Sequence, residues 1–156
     1  MDFEVLKRLI AALETRGVRY AIFGAVAMNL HGLVRVTEDL DLFVAPESVN
    51  IDRLRLALHD VFSDPEIDKI TAADLLGEYP SVRYVPPQGS FYLDILTRLG
   101  SAFLFADLET ERVPFDGLTA TVVTPRTLYR MKKDTVRLKD RADAEMLCRQ
   151  FRLEPD

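Results

Sequence analysis

Asp39 and Asp41 are the side chains of this 156-residue sequence whose types and spacing first suggest chemistry. They lie in the run Asp39-Leu40-Asp41-Leu42-Phe43-Val44, where acid alternates with hydrophobe before Ala45-Pro46. Alternate residues of an extended strand share a face, so the two carboxylates point one way and Leu40 and Leu42 the other. Like charges at that spacing repel, and one pKa rises unless a cation sits between them, an arrangement that suits a divalent metal. The same pair also suits a solvated edge strand, so Asp-x-Asp alone leaves both readings open.

Asp94 adds weight to the metal reading. It interrupts the otherwise apolar strand Phe91-Tyr92-Leu93-Asp94-Ile95-Leu96, where an unpaired ionised group is costly to bury. A frayed strand end or a bond to a backbone amide is the alternative. If this strand instead lies beside that of Asp39, three carboxylates converge and can hold two Mg²⁺ ions about 3.5–4 Å apart for in-line phosphoryl or nucleotidyl transfer. Upstream, Phe23-Gly24-Ala25-Val26-Ala27 reads as a strand that ends in glycine and passes directly into a helix. Such a junction leaves backbone N–H groups of Gly24 and Ala25 free to bind phosphate oxygens.

Counter-charge is expected downstream. Between Arg126 and Arg141 lie seven basic residues and two acids, in a chain whose formal net charge is −5. That overall charge speaks against a surface that grips nucleic acid all over, while the local excess places positive charge where an anionic ligand can use it. Lys132 offers a compact charge for a triphosphate and Arg137 a planar fork for bidentate phosphate binding. Asp140 reads as the N-cap of a last helix, with Asp143 in its first turn and Arg130 and Lys133 solvated. Arg35 is expected to contact phosphate or pair with Asp39, and Thr37 to orient its loop by a side-chain-to-backbone bond. His31, beside Gly32 at a helix end, is read as a dipole partner and not as a base.

These residues need a scaffold. Apolar spacing predicts helices over 2–16, 25–30, 49–62 and 72–76, a basic helix from Pro125 to about Leu138 and a final one from Arg141 to Phe151. Strands are predicted over 18–23, 39–44, 82–85 and 91–96, with two short ones around the Asp116-Gly117 turn. The order implies one α/β (α+β) domain over 1–156, a mixed central β-sheet flanked by helices with further helices at the C-terminal end. No apolar run approaches the roughly 20 residues of a membrane span and the opening carries no signal-peptide pattern, so a cytosolic, soluble protein is expected, with no membrane partner. The single cysteine, Cys148, is expected to pack as a small hydrophobe among Met146, Leu147 and Phe151.

The segment from Gly24 to Leu42 resembles the glycine and Asp-x-Asp motif pair of the DNA polymerase β-like nucleotidyltransferases. Its His31-Gly32 and Arg35-x-Thr37-x-Asp39-x-Asp41 elements are more closely similar to the AbiEii/AbiGii-type toxin branch. Asp94 matches the family's third carboxylate, and Lys132, Arg137, Lys139, Asp140 and Asp143 match its late Lys-x4-Arg-x-Lys-Asp-x2-Asp pattern. Position 25 is alanine where many such enzymes carry serine or glycine.

The resemblance implies a nucleotidyltransferase fold and a Mg²⁺-dependent transfer of NMP from an NTP to an RNA (tRNA) or protein acceptor. Asp39, Asp41 and Asp94 would be metal-binding and catalytic. Gly24, Ala25, Lys132, Arg137, Arg35 and Thr37 would be substrate-binding. A toxin-antitoxin setting, with an antitoxin or other partner protein, is implied by resemblance alone. Two other readings stand beside it. One is a catalytically degenerate nucleotide- or partner-binding module of such a pair; the other is a phosphohydrolase with a similar acid cluster.

Overall fold

A computed structural model describes residues 1–87 and 91–156. The element order is α1 (Phe3–Thr15), β1 (Tyr20–Phe23), α2 (Gly24–Leu30), β2 (Asp39–Val44), α3 (Ser48–Val61), α4 (Ala72–Leu75), β3 (Ser81–Tyr84) and β4 (Tyr92–Leu96). There follow β5 (Arg98–Leu99), β6 (Phe103–Leu104), β7 (Thr110–Phe115), β8 (Leu118–Val123), α5 (Pro125–Lys132) and α6 (Leu138–Phe151). Six strands form one mixed sheet in the order β3-β4-β2-β1-β8-β7, and β5 with β6 makes a separate small hairpin.

Two parallel pairings set the active geometry. β2 runs parallel to β4 with Asp41 opposite Asp94, and β1 runs parallel to β8 with Ile22 opposite Val122. The remaining pairings are antiparallel. β7 and β8 close through Asp116 and Gly117, both at positive φ (46° and 81°), the backbone that a two-residue hairpin turn demands.

The centre of the sheet is covered on both sides. Ala21 and Ile22 are adjacent in β1, so they face opposite ways, and both are fully buried. α1 packs against α3 and β8, while α2 packs over β1 and β2 and against α5, which in turn packs on α6. The helix ends follow local chemistry: Asp2 caps α1 through the N–H groups of Glu4 and Val5, and Thr124 caps α5 just ahead of Pro125.

Several boundaries differ from the expected ones. The basic helix stops at Lys132 and not near Leu138, and α6 begins at Leu138 with Arg137 in the N-cap position. Asp140 is therefore no cap. It lies in the first turn and accepts bonds from Lys132 and Thr135. The β5–β6 hairpin and a 3₁₀ turn over Pro65–Lys69 carry too few residues for periodicity to register. Cys148 packs against the core, partly buried, as a small hydrophobe.

The inward residues of β2 hold the acid-bearing strand in register. Leu42 is fully buried, so Leu42→Ala is expected to lower the unfolding free energy by about 2–5 kcal/mol in urea denaturation. A loss under about 1 kcal/mol would contradict the burial of this face.

Candidate active site

The β2–β4 register brings the predicted acids together on one sheet face. Asp39 and Asp41 leave β2 on the same side, and Asp94 leaves β4 directly beside Asp41. A cross-strand row results, running Arg83, Asp94, Asp41, Phe23 from the sheet edge inward. Phe23 ends β1, and the chain turns at once into α2 through Gly24, whose φ is +69°. A Cβ at position 24 would collide with the Asp41 carboxylate. Glycine is required there twice, by backbone conformation and by the close approach of the acid.

These groups line a cavity of about 520 Å³. Gly24, Ala25, Thr37, Asp39, Asp41, Asp94, Lys132 and Arg137 all face it, as do Arg83, Thr135, Lys139, Asp140 and Asp143. Of the residues expected in the site, Arg35 alone is absent from the lining. Its guanidinium turns away to Asp143, with Nε 2.6 Å from Oδ1, so it pairs neither with Asp39 nor with an open phosphate site. Thr37 Oγ1 accepts the Asp39 N–H at 3.0 Å and fixes the entry to β2, as its side chain suggests.

Electrostatically the cluster is unbalanced. Burial, then the charges of Asp94 and Asp39, push the Asp41 carboxyl up to about 7, and Lys132 and Arg83 offset only part of this. Asp94 has a partner that sequence reading missed. Arg83 Nε and Nη2 donate to its Oδ1 and Oδ2 at 2.8 and 2.9 Å, and the guanidinium lies 5.2 Å from the Tyr92 ring centroid. The signal for it was modest: an arginine in the short strand preceding Asp94, visible as a partner only once the β3–β4 register is known.

The basic segment is less available than its composition suggests. Lys132 Nζ is 2.9 Å from Asp143 Oδ2 and 3.2 Å from Asp140 Oδ1, which ties it into a mostly buried network instead of leaving it open to a triphosphate. Burial raises the Asp143 pKa, but hydrogen bonds from Lys132 and Arg35 outweigh it and hold the carboxyl below its usual range. Arg126 and Arg130 pair with Asp156, which folds back from the end of the chain, and Lys133 pairs with its neighbour Asp134. Arg137 keeps most of its side chain in solvent, 3.8 Å from Asp140. His31 is buried, with Nε2 2.8 Å from the Val123 carbonyl and Nδ1 3.2 Å from Glu111, so it ties α2 to the sheet.

The donor set fits a hard divalent cation, since all three groups are carboxylates and Lys132 and Arg83 only partly offset the charge of Asp41. It is not a closed cage. Among the described residues no three acidic, His or Cys side chains stand together at metal-ligating geometry. Asp39 and Asp41 face the cavity open, whereas both Asp94 oxygens are taken by Arg83.

The whole-chain arrangement is similar to that of solved nucleotidyltransferase structures. ANT(2″)-Ia, solved with adenylyl-2″-tobramycin, aligns over 96% of this chain and 88% of its own, with a TM-score of 0.59 and 13% identity. The chain has a nucleotidyltransferase fold. A Thermotoga maritima protein described as a nucleotidyltransferase candidate gives 0.58 at 15% identity over 96% and 91% of the two chains. An antigenic nucleotidyltransferase-like protein of Paracoccidioides brasiliensis gives 0.57 at 17% over 96% and 77%. No family model and no curated protein sequence matches the chain. Among the described residues no helix is long and apolar enough to cross a membrane.

The raised Asp41 pKa makes a prediction with a definite sign. Because the folded value, about 7, lies above the ordinary 3.8, stability from this group is complete below about pH 4 and is lost as pH rises through 7. With chelator present, Asp41→Asn is expected to be more stable than the wild type near pH 8.5 by on the order of 2–4 kcal/mol, the gap closing near pH 4.5. A pH-independent difference in urea denaturation would contradict the assignment.

Proposed function

We propose that the protein is a divalent-metal-dependent nucleotidyltransferase that moves NMP from an NTP to an acceptor hydroxyl. The observation that carries this reading is the placement of Gly24 against Asp41: the turn that opens α2 lies directly on the middle carboxylate of the acid row. A triphosphate bound by the N–H groups of Gly24 and Ala25 would lie across Asp41 and Asp39. Mg²⁺, as one ion or two, would be held by Asp39 and Asp41, joined by Asp94, and would supply charge neutralisation at the phosphates.

The chain's own residues then divide the work. Asp94, on the far side of Asp41 from Gly24, accepts the proton of the attacking hydroxyl at a carboxylate oxygen. The hydroxyl oxygen bonds to the α-phosphorus as the bond to pyrophosphate breaks, and the electron pair leaves with the pyrophosphate. Arg137, exposed at the cavity mouth, is the guanidinium best placed to meet the departing anion. Lys132 contributes through the field it sets on Asp41 from within its carboxylate network.

The acceptor is proposed to be an RNA, such as tRNA, or a protein, in a cytoplasmic toxin-antitoxin pair whose antitoxin would be the partner; the resemblance to AbiEii-type toxins supports this setting. The neighbour ANT(2″)-Ia, seen with an adenylylated aminoglycoside, adds small polyhydroxylated molecules to the acceptors worth assaying. A second reading, nucleotide binding without turnover, is favoured by one observation, the full engagement of Asp94 by Arg83.

Incubation with Mg²⁺, each labelled NTP in turn, total RNA, cell lysate and aminoglycosides separates the readings. Transfer of label by the wild type, reduced at least about 10³-fold in Asp41→Ala and Asp39→Ala, is the expected result. Metal-dependent NTP binding with no labelled product supports the binding module. Release of phosphate or pyrophosphate with no labelled acceptor indicates a hydrolase.

A further inference from the structure

Arg83 stands where the proposed chemistry has no obvious use for it. It lies on β3, an edge strand of the main sheet, at the outer end of the acid row, and its side chain is 56% exposed. It nevertheless makes a two-pronged pair with Asp94, a side chain only 27% exposed, and rests against Tyr92, the residue opposite Asp39. Among the described residues no comparable partner bridges Asp39 or Asp41. Arg83 therefore occupies both oxygens of the carboxylate that stands directly beside Asp41 in the acid row.

We propose that Arg83 is a tethered counter-ion of the metal site, bound to Asp94 when no divalent cation is present and released from it when one binds. The proposal rests on the nucleotidyltransferase reading for the presence of a metal. Three features support it. The guanidinium and a divalent cation need the same Asp94 oxygens, so the two compete. The arginine side of the pair is exposed, so water can take over the guanidinium's hydrogen bonds when the two part. The released side chain stays anchored by a strand whose backbone pairs fully with β4, so its movement is a rotamer change and not a change of fold. Arg83 thus lowers the affinity of the empty cluster for metal and restrains Asp94 from acting on an acceptor before the metal is in place.

Mn²⁺ binding to the full chain, followed by loss of the free-ion electron paramagnetic resonance signal, tests this without any turnover. Arg83→Met is expected to bind Mn²⁺ about three- to tenfold more tightly than the wild type. Arg83→Lys, which keeps the charge but not the fork, is expected to fall between them and carries the comparison if the methionine variant fails to fold. Arg126→Met, which removes a surface pair with Asp156 outside the cavity lining, is expected to leave the affinity unchanged. Equal or weaker Mn²⁺ binding by both Arg83 variants overturns the proposal while leaving the metal-dependent reading intact. Absence of Mn²⁺ binding in every protein overturns that reading and the proposal with it.

Discussion

The burial of Asp41 beside Asp94 and Asp39 is the constraint around which the rest of the molecule is organised. The β2–β4 register places two of these acids side by side, and the pleat of β2 adds the third. Burial sharpens the conflict, because a carboxylate shielded from water loses the solvent that would otherwise screen its neighbours. The fold maintains the conflict by burying the alternate face: Leu40, Leu42, Leu93 and Ile95 are fully enclosed, so β2 and β4 cannot slip by one residue without turning aspartates into the core.

Positive charge is arranged in two tiers around this cluster. Arg83 neutralises Asp94 directly from the sheet edge. Lys132 acts from the other side but is itself bound by Asp140 and Asp143, and Asp143 in turn holds Arg35. The second tier joins the segment before β2 to the start of α6 and the end of α5, and closes the cavity wall. Removing one member of such a buried network leaves another charge uncompensated, which makes it a positioning device more than a source of free cations.

Much of this was legible in the sequence, for reasons that differ by residue. The boundaries of β2 follow from the acid–hydrophobe alternation at its start and Ala45-Pro46 after its end, and Asp94 stood out because an acid within an apolar strand demands a partner. Gly24 was visible as a strand-to-helix break, although its contact with Asp41 depends on the β1–β2 register. Less legible were the residues whose side-chain partners come from other elements. Arg35 and Lys132 read as phosphate ligands, and their pairing with Asp143 could not be seen because it lies 108 and 11 positions away along the chain. Arg83 escaped notice since a lone arginine in a short strand is ordinary until its neighbour is known. Asp140 was mistaken for a cap because the end of α5 and the start of α6 both carry charges that fit several boundaries.

The central claim is that Asp41 sits in a cluster built for a cation. Carboxyl-carbon NMR of the aspartates, titrated with pH in chelator and again with saturating Mg²⁺, observes that residue directly. The account predicts an Asp41 midpoint near 7 without metal and well below it with Mg²⁺. A midpoint near 4 in chelator, unmoved by Mg²⁺, would contradict it.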